Sequence, residues 1–542
     1  MDRDRAAEAW REAAGRLLDA VGWRGEMLTS RAFQGGVSLA LSAPADCLYA
    51  ATELNEAAWS AALAQLQGDR GNGDGEVARL NELIQQERNP RAIALRRAAE
   101  ERGLNFLMGE DQLSIGSGTG VLCWPADSLP SPEQVAWKQV HDVPIVLVTG
   151  SNGKTTVVRL LAAIFSAAGS TAGSTSTDGV MVGSEYLLEG DFSGPEGARA
   201  VLRSARVEVA VLETARGGIL RRGVAVQRAD VAVITNIAAD HLGEFGVESV
   251  SDLAETKLVV TKTLGKSGTA VLNADDEQLV MRSGRIGAQV VWFSLDPGSP
   301  VIARHIGNGG TAAWLEGNIL VLARGKNRQE LIGLDQVPIT FGGAARHNVA
   351  NALAAMCAAQ SLGIESRSLN ESLRQFGRFV GDNPGRANLL EIGGVRLLLD
   401  YAHNPHGMAA LVKVAQGLPA ERRLIMVGQA GDRDDEAIRE LARAASALRP
   451  DRVIVKEMDQ YLRGRAPGAV PQLLADEFVH LGIPREAVST ASKEVEGTRA
   501  ALEWARPGDL LVLAVHQDRR AILALISRLA TGGWQPGDAL PG

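Results

Sequence analysis

The chain has 542 residues, 45% of them hydrophobic and 22% charged, a composition that excludes a disordered polymer and leaves room for three or four domains. Its 56 basic and 64 acidic residues give a net charge of −8, which argues against a broad cationic surface for nucleic acid. Cys47, Cys123 and Cys357 are far apart and lack CxxC spacing; they exclude a disulfide scaffold and a four-cysteine zinc site and favour a reducing cytoplasm, and no apolar run of about 18 residues is present to span a membrane.

In chain order, residues 5–20 and 51–66 read as Ala-rich amphipathic helices, and Gly68–Gly75 as a polar loop. A helical stretch over 76–102 is interrupted at Asn89-Pro90, short strands are expected at 104–108 and 111–114, and a Pro-bearing linker covers 129–134. The texture then changes. VPIVLVT (143–149) is a continuous apolar strand of the kind buried in a parallel sheet. Further strands are expected at 207–213, 229–235, 268–274 and 288–294, with helices between several of them, and 300–306 and 312–323 read as antiparallel strands. Residues 347–363 form a strong helix. After a Pro384-Gly385-Arg386 turn, strands at 395–400, 423–428, 452–457 and 509–515 alternate with helices. The pattern is α/β, with two doubly wound units.

The sharpest local signal is Thr149-Gly150-Ser151-Asn152-Gly153-Lys154-Thr155-Thr156, which follows a buried strand and opens a helix. Backbone N–H groups of such a turn, with the helix N-terminus, cradle phosphate. Lys154 reaches the terminal phosphates, and the Thr155 hydroxyl can ligate Mg²⁺. The spacing, GxxGKT, is two residues shorter than the usual phosphate loop. Glu213 ends a second buried strand, where a carboxylate can bind Mg²⁺ or pair near the turn; Asp240 and His241 follow a third strand in the same way. Lys257 lies on an expected helix.

Taken together, TGSNGKTT, VLETARGG, TNIAADHLG, Lys257, VLNADD (271–276), RHNVANALAA (346–355), PGR (384–386) and DYAHNP (400–405) resemble, in order and spacing, the Mur ligase family of ATP-dependent amide ligases. The resemblance covers about 143–530 and is nearest to the Mur-ligase-like half of cyanophycin synthetases, through STSTDGVMV, VLETARGGILRRG, TNIAADHLG and YLRGR (461–465). Residues 76–120 are similar to the small N-terminal domain of those enzymes. Only 23 residues separate Gly120 from Pro144, too few for the ATP-grasp module that stands there in cyanophycin synthetases.

The resemblance implies three domains: a small α+β N-terminal domain over 1–140, a central ATP-binding P-loop domain over 141–383 and a Rossmann-like C-terminal domain over 384–542. It implies ATP and Mg²⁺ as cofactors, with Gly150–Thr156 and Lys154 on the phosphates. Thr155, Glu213, His241 and a carbamylated Lys257 stand at the metals, Asn348 at adenine, Arg386 at phosphate across the domain boundary, Asp400 at ribose, and His403 lining the cleft. Lys154, Lys257, His241 and Glu213 are the catalytic set. The implied reaction activates a small-molecule or peptide carboxylate as an acyl phosphate and couples it to an amino acid or other amine. In the cyanophycin enzymes the corresponding half adds arginine to an aspartate side chain, for which Asp434, Asp435 and Glu457 are candidate contacts within or beside the segments 431–435 and 461–465. The other readings are a P-loop phosphotransferase or NTPase, and an accessory subunit of a separate ATP-grasp ligase. Homo-oligomerisation stays open, and closure about a hinge at 364–385 is expected.

Overall fold

A computed structural model describes residues 2–33, 35–68, 74–240 and 242–541. The polar loop expected over 68–75 falls, at 69–73, outside the described residues.

The N-terminal part is built from helices Arg3–Ala20, Leu48–Gln67, Asp74–Glu87 and Pro90–Glu101. The first two pack through Ala9, Ala13, Ala14, Ala58 and Ala62 around a fully buried Trp10, whose indole N–H donates to Asn55 at 2.8 Å; alanines let the backbones approach and Trp10 fills the space. The interruption at 89–90 is a cap: Asn89 accepts from the Ala92 amide and Pro90 opens the next helix. A hairpin of Leu28–Phe33 and Gly36–Leu41 and a three-stranded antiparallel sheet of Phe106–Met108, Gln112–Ile115 and Leu122–Pro125 complete this part. The three-stranded sheet is tied to the centre by Arg203, which donates to the Leu107 and Gln112 carbonyls, and by the buried Asn105, which bonds the backbone of 227 and 228.

The central sheet has 11 strands. Seven run parallel in the order Ala172–Ser176, Val209–Glu213, Ile145–Thr149, Ala229–Ile234, Leu264–Asn273, Gln289–Ser294 and Thr311–Glu316. An antiparallel pair extends each end, Gly179–Val182 with Glu185–Glu189 and Ile319–Arg324 with Asn327–Gly333. Along Ile145–Thr149 the side chains alternate between two cores. Val146 and Val148 meet helices Lys154–Ala167, Arg346–Ser361 and Ser366–Gln375, while Ile145 and Leu147 belong to the core under Pro195–Leu202, Val250–Leu258 and Glu277–Arg282. Burial on both faces explains the unbroken apolar runs. Residues 300–306 are helical (Pro300–Gly307), against the strand expected there. Ser299 caps that helix, Pro300 opens it, and Arg304 and His305 sit in its last turn, so end signals outweigh the β-branched content. The expected 312–323 strand is two, turned at Gly317 with φ +58°.

The second sheet has six strands, in the order Asn388–Ile392, Val395–Asp400, Leu510–Ala514, Arg423–Val427, Arg452–Lys456 and Val488–Ala491, all parallel except the first. Helices Pro405–Gln416, Asp435–Ser446 and Ala469–His480 cover one face, and Glu494–Trp504 and Arg519–Thr531 the other. Among the described residues no helix is long and apolar enough to cross a membrane.

Ile145–Thr149 lies between Val209–Glu213 and Ala229–Ile234. The chain passes from it to Ala172–Ser176 on one side and later crosses from Val209–Glu213 to Ala229–Ile234 on the other, which opens a crevice at the carboxyl ends of these three strands.

Candidate active site

At the end of Ile145–Thr149 the chain turns through Gly150–Gly153 into the helix that begins at Lys154. Two glycines are obligatory here. Gly150 has φ +146°, and a Cβ on it would lie 1.9 Å from Thr235 Oγ1; Gly153 has φ +86°, and a Cβ would lie 2.2 Å from Asn351 Oδ1. The next strand's end braces the turn from behind. Ser151 N donates to the Asn236 carbonyl at 2.9 Å, Asn152 N to Asn236 Oδ1 at 3.0 Å, and Thr235 Oγ1 to the Asn152 carbonyl at 2.6 Å. Ser151 Oγ donates to the Ala238 carbonyl at 2.8 Å. The TNIA segment therefore braces the loop in this shape.

Lys154 Nζ folds back onto the Gly150 and Ser151 carbonyls at 3.1 and 3.2 Å. Thr155 Oγ1 donates to Glu213 Oε2 at 2.8 Å. Glu213 is 2% exposed; burial pushes its carboxyl above the usual range, against the pull of Lys154 and Thr155. Its Oε1 is buried with no hydrogen-bond partner among the described residues. An unmet carboxylate oxygen beside a hydroxyl and a phosphate loop fits a hard cation that takes its remaining ligands from a nucleotide. No group of three or more His, Cys, Asp or Glu among the described residues would hold a metal unaided. Lys257, 3% exposed, donates to the Gly150 carbonyl at 2.9 Å. Burial first, then Lys154, hold its ammonium well below the usual lysine value. His241 lies outside the described residues. Thr156 accepts from Asn383 Nδ2 at 3.2 Å, joining the helix start to the segment before the C-terminal sheet.

The remaining expected residues line the same cleft, of about 1570 Å³. Asn348 is buried, donates to the Ile339 carbonyl at 2.9 Å and accepts from Asn351 at 3.1 Å. Arg386 reaches from the C-terminal side to Thr155 Oγ1 at 3.5 Å and Thr177 Oγ1 at 3.2 Å. Asp400 accepts from the Ala387 amide at 2.7 Å, and burial raises its carboxyl despite Arg386. His403 Nε2 stands 3.7 Å from Asp240 Oδ2.

Other residues, not assigned a role from the sequence, also meet at the site. Asn404 donates to Asn152 Oδ1 at 3.1 Å, and His406 Nδ1 lies 3.1 Å from Asn152 Nδ2, so the DYAHNP turn touches the phosphate loop directly. Arg433 lies 3.6 Å from both Asp240 Oδ1 and Glu244 Oε1. Asp434, Asp435 and Glu457, expected to greet a cationic amino acid, have internal partners instead. Asp434 caps helix Asp435–Ser446 through the Ala437 amide, Asp435 pairs with Arg465 at 2.8 Å, and Glu457 accepts from the amides of Met458 and Gly468. Arg465 also donates to the Gly431 and Arg433 carbonyls, stitching the 431–435 and 461–465 segments into one wall.

The Mur ligase middle domain matches residues 148–359, and the Mur ligase glutamate ligase domain matches 385–515. Cyanophycin synthetase of Trichormus variabilis is 38% identical over 386 residues, which is 71% of this chain and 42% of that protein; the chain thus spans about two fifths of the length of that relative. UDP-N-acetylmuramoylalanine–D-glutamate ligase of Pelotomaculum thermopropionicum is 30% identical over 373 residues, covering 68% of this chain and 70% of that one. E. coli FolC in complex with ADP shares the fold, with a TM-score of 0.53 at 20% identity over 72% of this chain and 90% of that one. With both ligase domains matched and most of a 30%-identical ligase covered, the chain belongs to the Mur ligase family.

Proposed function

We propose that the protein is an ATP-dependent carbon–nitrogen ligase. A carboxylate accepts the γ-phosphoryl group of ATP to become an acyl phosphate, an amine nitrogen attacks its carbonyl carbon, and phosphate leaves, giving an amide, ADP and phosphate. The observation that carries this reading is the convergence on one cleft of Lys154, Thr155–Glu213 with its unmet oxygen, Lys257, and Arg386, Asp400 and His403 of the C-terminal part. A simple NTPase has no use for the second set.

The physical difficulty is bringing two anions together. Bound Mg²⁺ would neutralise phosphate charge during transfer. Thr155 and Glu213 would hold one ion, the Gly150–Thr156 amides and Lys154 the β- and γ-phosphates, and Arg386 the charge that develops between domains. His241 and Lys257 would help hold a second ion. A buried neutral Lys257 amine can add CO₂, forming an N–C bond and releasing a proton, which turns a would-be cation into a carboxylate. Asn348 would face adenine and Asp400 the ribose. The wall built from 431–435 and 461–465 presents the amine. The domains divide at 140 and 383, and the chain acts in the cytoplasm; a separate ATP-grasp ligase as partner and a homo-oligomer are both compatible with this scheme.

The test is mass spectrometry of products after incubation with ATP, Mg²⁺, all twenty amino acids and acidic dipeptides. An amide product that disappears in Lys154→Ala, with the fold retained, supports the reading. ATP hydrolysis indifferent to both carboxylate and amine would sink it.

A further inference from the structure

The guanidinium of Arg386 is held loosely by hydrogen bonds. Its contacts to Thr155 and Thr177 are 3.5 and 3.2 Å, and its Nε is buried with no hydrogen-bond partner among the described residues. Asp178, Glu213 and Asp400 all attract it, from different elements and without a common direction. Its aromatic contact is close: Arg386 Cζ sits over the Tyr401 ring, 4.1 Å from its centroid.

The Tyr401 ring is itself set from behind. His516 meets it edge-on at 4.9 Å and 78°, and His403 at 5.4 Å and 64°. The His516 ring has no freedom to turn: Nδ1 accepts from Lys456 Nζ at 2.9 Å, and Nε2 donates to the Ala402 carbonyl at 3.2 Å. Lys456 is fully buried and paired with Glu494. Glu494 also accepts the amides of His516 and Asp518, each at 2.7 Å. Burial, then Lys456, keep the imidazole neutral, as one donor and one acceptor nitrogen require. An unbroken line of contacts therefore runs from Glu494, at the start of the helix Glu494–Trp504 on the C-terminal sheet, through Lys456, His516 and Tyr401 to Arg386 and the phosphate loop.

We propose that Tyr401 is a positioning residue that fixes the plane of Arg386 over the phosphate loop, and that the buried Glu494–Lys456–His516 chain holds Tyr401 in register. The assignment rests on the reading of Arg386 as a phosphate contact. It requires the ring and not the phenol oxygen, and it requires that Tyr401 act only through Arg386.

The experiment is a double-mutant cycle read by calorimetric titration of Mg²⁺ with a non-hydrolysable ATP analogue, and in parallel by ATP-dependent phosphate release. Tyr401→Phe should bind the analogue within about twofold of wild type, and Tyr401→Leu about tenfold more weakly. In an Arg386→Ala background the Leu substitution should change binding by less than about twofold, because its target is gone. An undiminished Leu penalty in that background, or wild-type binding by Tyr401→Leu, overturns the proposal. If Tyr401→Leu does not fold, His516→Gln takes its place. It keeps a donor and an acceptor but loses the ring, and should weaken binding about threefold only while Arg386 is present; an equal loss without Arg386, or none with it, refutes the assignment. The binding cycle decides the role of Tyr401 even if no carboxylate and amine pair stimulates phosphate release, an outcome that would defeat the ligase reading alone.

Discussion

Gly153→Ala tests whether the phosphate loop is shaped as the backbone indicates. The residue has φ +86°, where an L-side chain costs about 1–2 kcal/mol. The new Cβ would stand 2.2 Å from Asn351 Oδ1, far inside contact distance, so the Asn351 amide must swing away. That motion breaks its 3.1 Å bond to Asn348 Oδ1, worth about 0.5–1.5 kcal/mol. Together the terms come to about 2–3 kcal/mol. Without nucleotide the loop can relax into another shape, so the penalty falls on the bound state. Affinity for Mg²⁺–ADP should drop about 30- to 150-fold, while the thermal midpoint changes little. Adding Asn351→Ala removes the clash but also the same bond to Asn348 and leaves the strain, so the double variant should bind about as weakly as the single one. Calorimetric titration of the single and double variants reads both numbers. Binding by Gly153→Ala within threefold of wild type would refute the reasoning, because it would mean that the loop does not keep this shape around phosphate.

Two further outcomes follow from buried charge. Glu213 has a carboxyl pKa raised by burial; a proton and Mg²⁺ compete for it, so half-saturating Mg²⁺ in phosphate-release assays should rise as pH falls toward that value, and Glu213→Gln should need at least about tenfold more Mg²⁺ at every pH and lose the trend. Lys257 is depressed well below 10.5, so between its folded value and 10.5 the unfolded chain binds one more proton than the folded one at this position; stability in urea should climb with pH over that window, less so in Lys257→Met, and Lys257→Ala should lose turnover and regain part of it with acetate, whereas unaltered turnover would exclude a carbamate.

What was legible beforehand depended on how local the cause was. VPIVLVT announced a parallel strand because both of its faces are buried, and GSNGKTT announced its turn because Gly150 and Gly153 adopt backbone angles that other residues resist. Residues 300–306 misled because β-branched content was weighed above the Ser299-Pro300 helix start. The acidic trio Asp434, Asp435 and Glu457 misled because a carboxylate looks the same whether it waits for a ligand or caps a helix. Lys456, Glu494 and His516 were invisible because nothing in one segment encodes the other two; 38 positions separate the first pair and 60 separate Lys456 from His516. Arg433 stood in a segment singled out for the amine, yet its partners, Asp240 and Glu244, lie almost two hundred positions upstream.

The contacts between the central and C-terminal parts are unequal in a way that fixes how the cleft opens. At the mouth they are long. His403 lies 3.7 Å from Asp240 and Arg433 3.6 Å from Asp240 and Glu244, beyond direct hydrogen-bond length. Near the hinge they are tight and dry. Asp178, its side chain 4% exposed, takes Arg159 of the central part at 2.9 Å and Arg519 of the C-terminal part, and a Cβ on Gly385 would press on the Arg519 stem. Burial alone would raise the Asp178 carboxyl, but Arg386, Arg519 and Arg159 overcome it and hold it below 3.8. Its stabilising effect is therefore present above that value and lost only as pH falls through the folded one. Removing one member of such a buried cluster costs about 3–5 kcal/mol. Rotation that frees nucleotide would part these longer contacts first and pivot on the shorter ones about Asp178. Labels at Glu248 and Glu436, flanking the mouth, should separate when Mg²⁺–ADP is withdrawn, while labels at Leu188 and Ala521, beside the pivot, keep their distance. In Asp178→Asn the second pair should separate as well. Equal separation of both pairs in the unsubstituted enzyme would show that the domains part bodily rather than swing about Asp178.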